Sequence, residues 1–499
     1  MDTFKKKVIL VNPKLIFPKS VYSDEYEEYE GQGAFDQKSI NIGLLAVASY
    51  LNMKGHDVKI LDLQDHVNDR DDLIRFINSN TPDFIGISCN SCYAYIKTKE
   101  YASLIRSIDK DIYIFSGGQH IGAIASIATR EIPEIDCIIK YEGEYPVNFI
   151  VENNGANLYQ VPGIIYREDG KVIETKDIKY QIDMNELPFL EWSMYPDFKK
   201  LVPNIEVSRG CKSVCNFCTN YHAYGNQYRS KPAKRIFEEI KHTLKEYENS
   251  SQPIYLGGMN FDLKDENLNN LVQMLKNENV VWRTESRVDC LTYEDVLKME
   301  EVGLQVVDWG LDGVSPKILS LMRKTNDPKS YIDKATKLFE SLKGTSVLNK
   351  VNLMFYPGET ADTICETLQF FIKNREYIDI VSPKPTMLYP GTILYQDYDK
   401  LNKLYGTRKI ETVFWNKVHA YPMHLSYQLS YDQAKYLSLL VERLLNNYEK
   451  YAVCRKTTIG YNNLSEKEYL GLLLKENDYY NLRFIIDDNV FKMIREIEQ

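Results

Sequence analysis

At 499 residues, with 44% hydrophobic and 26% charged side chains, the chain holds enough material for packed cores in about two to four domains. Its formal net charge is −9 and it has no lysine- or arginine-rich block, which disfavours a nucleic-acid backbone as partner. No apolar run reaches the roughly 18 residues of a membrane span, and no apolar segment of signal-peptide length follows Met1-Asp-Thr-Phe-Lys-Lys-Lys, so a cytoplasmic protein is expected. Nine cysteines, an odd number without a secretion signal, point to reduced thiols and metal ligation over a disulfide framework.

Taken in chain order, Lys7-Val-Ile-Leu-Val-Asn12-Pro13 is an apolar run closed by a turn signal, the pattern of a strand buried on both faces. A Tyr/Glu-rich loop (Tyr22 to Glu30) precedes an apolar helical stretch from Gly43 to Leu51. Further strands follow at Val58–Leu63, Asp83–Ser88, Ile112–Ser116 and from Cys137 to about Lys140, with helical segments between them. Five strands alternating with helices predict a doubly wound (Rossmann-like) α/β domain over 1–155, with ligands beyond the carboxyl ends of the strands. Those ends carry Asn12, Ser88, Gly117, Gly118, Gln119, Tyr141, Glu142 and Gly143. Small residues there let a large ligand approach the backbone, although each glycine also suits a tight βα turn. Cys89-Asn-Ser-Cys92 reads as small residues after a buried strand ahead of a redox pair, and the scattered Cys137, Cys290, Cys365 and Cys454 as small buried hydrophobes.

Residues 156–200 form a connector, with an Asp169-Gly170 hairpin turn inside it. Ile205-Glu-Val207 then leads into Ser208-Arg209-Gly210-Cys211-x3-Cys215-Asn-Phe217-Cys218, where three thiolates on one loop can converge on one metal centre. Two donor sets fit the spacing. Zinc could take the three cysteines with His222 as a closed four-coordinate site, or the cysteines could hold an iron–sulfur cluster with one open iron. Strand-then-helix units recur from Ile205 through Ile254–Leu256, Val281–Thr284, Val306–Trp309, Val351–Phe355 and Asp379–Pro383, predicting a partial (β/α)6 TIM-type barrel over 201–395. Thr292-x-x-Asp295 and Ser315-Pro316 mark helix starts within it. From 396 to 499 the pattern becomes mainly helical, with capping boxes at Ser430-x-x-Gln433 and Ser465-x-x-Glu468, and a substrate cap over the barrel mouth is expected there.

The Cys211-x3-Cys215-x2-Cys218 loop, with Phe217 before its last cysteine and a strand before its first, resembles the cluster loop of the radical S-adenosylmethionine (radical SAM) superfamily. The resemblance continues for some two hundred residues and implies a [4Fe–4S] cluster on these cysteines, with SAM chelating the open iron and cleaved on reduction to a 5′-deoxyadenosyl radical. It implies SAM contacts from Phe217, Gly257-Gly258-Met259, Glu285, Arg287 and Asp312, the last where relatives carry a longer acid. No catalytic residue beyond these is implied. The strand ends of residues 1–155 resemble the cobalamin (B12)-binding domain that precedes many radical SAM domains. The Asp-x-His-x-x-Gly loop of many cobalamin proteins is absent, since Asp62-Leu-Gln-Asp65-His66 lacks the spacing and the glycine, so cobalt binding without a histidine ligand is expected. The family resemblance implies a class B C-methyltransferase that carries methyl from methylcobalamin to an unactivated carbon after hydrogen abstraction, fed by flavodoxin or ferredoxin and acting on a small molecule or peptide. A non-methylating rearrangement or cyclisation enzyme is the alternative within enzymes, and a zinc-stabilised non-catalytic cobalamin-binding protein the alternative outside them.

Overall fold

The computed structural model describes residues 5–28, 39–179, 181–248, 253–263 and 265–459, together with residue 492; the Ser465 capping box lies outside them. Two seven-stranded sheets dominate. In the first, β1 (Lys7–Asn12), β2 (Asp57–Asp62), β3 (Phe84–Ser88), β4 (Tyr113–Gly117) and β5 (Cys137–Ile139) run parallel in the order β2-β1-β3-β4-β5. The connector hairpin, β6 (Ile164–Glu168) and β7 (Lys171–Glu174), adds antiparallel to β5, so the connector extends the first sheet. β1, β3 and β5 are buried almost throughout, as strands covered by helices on both faces must be. Asn41 caps the first long helix, Ile42–Met53, by accepting from the Leu44 backbone N–H at 3.1 Å.

The second sheet follows the order β9-β8-β10-β11-β12-β13-β14, with β8 Asn204–Arg209, β9 Arg229–Ser230, β10 Ile254–Gly258, β11 Trp282–Arg287, β12 Leu304–Asp312, β13 Leu348–Phe355 and β14 Ile380–Pro385. Six strands are parallel and the two-residue β9 is antiparallel, giving the expected partial barrel. The Thr292/Asp295 and Ser430/Gln433 capping boxes both form. A strand presents alternate residues to one face, and on β11 that face carries Arg283, Glu285 and Arg287. Arg283 pairs with Asp308 of β12, and Lys350 of β13 reaches the same carboxylate at 2.5 Å.

Within the C-terminal region, Tyr405 and Leu425 pack at Gly358, just beyond the carboxyl end of β13, while the two helices that follow lie away from the barrel mouth. Helix Tyr431–Leu445 packs along β14, and the Asn446 side chain closes that strand's open edge, accepting from Val381 N–H at 2.8 Å and donating to its carbonyl at 3.0 Å. Helix Tyr448–Ile459 sits at the amino ends of the barrel strands, where Cys454 packs with Val306, Leu348 and Ile380, its carbonyl accepts from Arg283, and Lys450 meets Asp379. Residues 412–419 turn back to the first domain, with Trp415 Nε1 donating to the Val21 carbonyl and His419 meeting Glu131. Amphipathic periodicity shows that a helix has a buried face, but not which end of a barrel it covers. No helix among the described residues is long and apolar enough to cross a membrane.

Candidate functional site: two facing sets of strand ends

The cluster loop begins at a forced turn. Gly210 has φ +74°, and a Cβ there would lie 2.0 Å from the Gln227 carbonyl, so only glycine fits between β8 and Cys211. Cys211 and Cys218 are half-buried and Cys215 is buried; Cys218 begins the short helix Thr219–Tyr224. Burial pushes the Cys218 thiol up to about 11 and raises that of Cys215, against which Lys324 and Arg287 are the main opposing charges. Arg287 Nη1 donates to the Cys215 sulfur at 3.7 Å, and its other nitrogens grip Asp289 in a fork, both at 2.9 Å. Lys324 is buried and paired with Asp312. Asp312 holds φ +63°, uncommon for a non-glycine residue, at a register shift between β12 and β13.

The donor set bears on which metal centre these residues suit. Among the described residues, no three His, Cys, Asp or Glu side chains converge as they would around a single ion with bonds of about 2.3 Å. His222, the fourth ligand of the zinc alternative, packs against the Gly391 backbone, with its ring 5.9 Å from that of Tyr141. Three cysteines with cations beside one sulfur suit a larger, net-negative cluster with an iron at each thiolate.

The predicted SAM residues share the carboxyl end and upper lumen of the barrel. Gly257 and Gly258 also have a packing reason to be glycine, since Cβ atoms there would lie 2.6 Å from Asn204 Oδ1 and 2.4 Å from Ser208 Oγ. Met259, half-buried, follows directly. Phe217 is half-buried, its ring 6.4 Å from that of Tyr356. Glu285 lies deeper, with its carboxyl pKa raised by burial and opposed by Tyr255, Arg283 and Lys350. Sequence reasoning missed Lys324, because a lone lysine beyond a strand reads as a solvated side chain, whereas Asp289 stands out with Glu285 and Arg287 on one strand end.

Seven of the eight residues singled out in the first domain, all but Asn12, line one cavity at the carboxyl ends of β3, β4 and β5. It encloses about 800 Å³ of space free of protein atoms, part of it continuous with solvent. Leu10, Leu44, Val47, Ile87, Phe115 and Ile139 make its apolar floor, and Arg209, Ala223 and Tyr224 of the barrel domain complete its wall. Asn12 instead joins a buried polar network below, donating to Asp62 at 3.0 Å and accepting from Asn41. Gly118 has φ +120°, and a Cβ there would meet Cys89 and Asn90 backbone within 2.8 Å, so its own turn requires glycine. Gly117 is under no such constraint, its nearest would-be contact being Ile139 at 3.5 Å. His66 accompanies Asp72 at 2.7 Å outside the cavity, and among the described residues no histidine lines it.

The two sets of strand ends meet. Gln119 donates to Asn220 at 3.1 Å and accepts from Thr219 at 3.2 Å, directly after Cys218. Arg209, two residues before Cys211, lies 3.1 Å from Glu142, 2.6 Å from Glu144 and 2.9 Å from Glu206, and Arg229 pairs with Glu142. The Tyr389–Leu394 segment crosses the junction, Leu394 N–H donating to the Asn216 carbonyl at 2.8 Å.

A parallel-sheet domain ending in a cavity, set against a partial barrel with a three-cysteine loop, defines the class: an α/β enzyme of two facing cofactor-type domains. Residues 205–371 match the model of the Radical SAM superfamily and residues 33–150 that of the B12 binding domain, so the chain belongs to the radical SAM enzymes that carry a B12-binding domain. It is 26% identical over 388 residues to an uncharacterised methyltransferase of Pyrococcus horikoshii, covering 75% of this chain and 81% of that one. It is 25% identical over 353 residues to an anaerobic magnesium-protoporphyrin IX monomethyl ester cyclase of Rubrivivax gelatinosus, covering 64% and 60%. The fold is shared with the radical SAM methyltransferase TsrM of Kitasatospora setae, solved with cobalamin and a [4Fe-4S] cluster bound, at TM-score 0.69 and 12% identity over 99% of each chain. It is shared too with the cobalamin-dependent radical enzyme OxsB, solved with aqua-cobalamin, at TM-score 0.69 and 15% identity over 99% of this chain and 73% of that one.

Proposed function

We propose that this enzyme is a cobalamin-dependent methyltransferase that places a methyl group from SAM on an unactivated carbon of a small molecule or peptide. The observation that carries the reading is the meeting of the two sets of strand ends, through Gln119 with Thr219–Asn220 and Arg209 with Glu142, which puts the cavity and the cysteine loop on one crevice. Bound there, a [4Fe–4S] cluster with SAM supplies the hydrogen-abstracting 5′-deoxyadenosyl radical, and cobalamin supplies the methyl carrier.

The chain's own residues divide the remaining work. Cys211, Cys215 and Cys218 would hold three irons, with Arg287 and Lys324 offsetting thiolate charge beside Cys215. The Gly257-Gly258-Met259 carbonyls and Asp312 suit the SAM ammonium, Arg287 and Lys324 its carboxylate, and Phe217 and Glu285 the rest of the molecule. The apolar floor under Ser88, Gly117, Tyr141 and Gly143 would hold cobalamin, and among the described residues no histidine lines that cavity to serve as a ligand. Tyr389–Leu394, covering the junction, helps keep water from the radical. A flavodoxin or ferredoxin delivers the electron, in the cytoplasm.

The cyclase among the relatives favours one second reading, radical ring closure without methylation. Nucleoside analysis separates the two. Anaerobic turnover with methyl-labelled SAM gives S-adenosylhomocysteine together with 5′-deoxyadenosine for a methyltransferase. Deoxyadenosine without matching S-adenosylhomocysteine would overturn the methyl-transfer reading.

A further inference from the structure

The ionic side chains around the cavity mouth mostly have partners within the protein. Arg209 faces three carboxylates, Arg229 faces Glu142, and Lys140 meets Glu174 at 3.0 Å and Asp177 at 2.5 Å. Lys179 is held differently. It follows the connector hairpin, and its stem passes the residue next to Tyr224 of the cavity wall, Cδ lying 3.7 Å from where a Gly225 Cβ would be. Its ammonium lies 5.6 Å from the ring centroid of Tyr141, itself a wall residue, and 5.3 Å from that of Tyr221. Two aromatic faces support the cation where its neighbours use carboxylates. Burial and Lys140 push its pKa down, with Asp177 opposing, so an anion arriving beside it relieves an unfavourable charge.

An apolar floor with a cation beside its Tyr141 wall matches a ligand that is flat and uncharged at one end and anionic where that end is tethered. We propose that Lys179 binds the phosphodiester of the nucleotide loop of cobalamin, an inference that rests on the reading of this cavity as the cobalamin site. A lysine serves phosphate as a point charge and needs no fork geometry. The tyrosine faces hold the ammonium in place before the ligand arrives, so less side-chain freedom is lost on binding. Lys179 thereby joins Tyr141 of the first domain, Tyr221 beside the cluster loop and the cofactor's phosphate at one point.

The test uses the cluster-loaded full chain and three corrinoid probes: hydroxocobalamin, cobinamide phosphate and cobinamide, the last without phosphate. Lys179→Met keeps the stem and removes the charge, and Lys179→Arg keeps the charge. The Met variant should bind hydroxocobalamin and cobinamide phosphate about tenfold more weakly, the scale of a charge-assisted contact, with cobinamide changed less than about twofold and the Arg variant recovering most of the loss. As a second measurement, salt should weaken hydroxocobalamin binding to the parent more steeply than to the Met variant. Equal losses for all three probes with an unchanged salt slope would make Lys179 a packing residue between the domains, and no loss for any probe would remove it from the site; either result overturns the proposal. A parent chain that binds none of the three would instead overturn the cobalamin reading itself.

Discussion

The two sheets end in opposite ways. Beyond β3, β4 and β5 the first leaves a slot floored by Leu10, Leu44, Val47, Ile87 and Phe115, with glycines along its wall. The barrel fills its interior with ions: Arg283, Asp308 and Lys350 low in the lumen, Arg287, Asp312 and Lys324 near the cysteines. An apolar slot accepts a large ligand by shape and gains by excluding water. A lumen of paired charges fixes a polar ligand by direction, and each unpaired member is costly. Arg209 lies at the border, touching the slot through Glu142 and Glu144 and standing two residues from Cys211.

Five variants test that contrast. The largest effect belongs to replacing Cys211, Cys215 and Cys218 together by alanine, which should bring 5′-deoxyadenosine formation below detection by mass spectrometry, yet leave corrinoid binding within about twofold, since the slot is built by other residues. Retained SAM cleavage in that variant would break the division of labour. Next comes Arg209→Leu. It leaves Glu142, Glu144 and Glu206 without their shared cation, so thermal or urea unfolding should show a loss of about 3–5 kcal/mol, the cost of breaking a buried ion pair.

A more selective effect is expected from Gly117→Val, whose branched side chain would project into the slot beside Ile139. Spectrophotometric titration should show cobalamin affinity reduced about tenfold or more, with iron content unchanged. Gly118 is the poorer probe because its own φ forbids a side chain. His66→Ala, by contrast, should leave the bound cobalamin spectrum as it was.

The smallest effect is a pH dependence. Burial raises the Glu359 carboxyl from 4.5 to about 7, where it accepts from Thr363. A raised acid is protonated longer in the folded state than in the unfolded one, so its contribution to stability is complete below about pH 4.5 and falls as pH rises through 7. Glu359→Gln should therefore raise the melting temperature at pH 8 and leave it nearly unchanged at pH 4.5, with an upper bound of about 3.5 kcal/mol at about 1.4 kcal/mol per pH unit. A melting temperature lowered at pH 8 would contradict that sign.

Both sheets are legible in the sequence because strands buried on two faces are written as continuous apolar runs, Val8 to Val11 among them. The cysteine loop is legible because its ligands lie within eight residues. What escapes the sequence is long-range pairing of charge. Arg209 finds Glu142 across 67 positions, and Arg287 reaches the Lys324 carbonyl across 37, while neither residue differs locally from a solvated one. Glu142 was legible as a cavity residue but not as the partner of two arginines. The destination of helix Tyr448–Ile459 is hidden for a related reason, since its contacts with Val306, Leu348 and Ile380 depend on how the barrel closes.

The central claim is that one chain holds both cofactors on facing strand ends. It is tested most directly by assaying iron, sulfide and cobalt in a single anaerobically reconstituted sample of the full chain. The account predicts about four irons, four sulfides and one cobalamin per chain together, with the triple cysteine variant keeping the cobalamin and losing the iron. Stoichiometric zinc on the cysteine loop in place of iron, or cobalamin and cluster that displace one another, would contradict it.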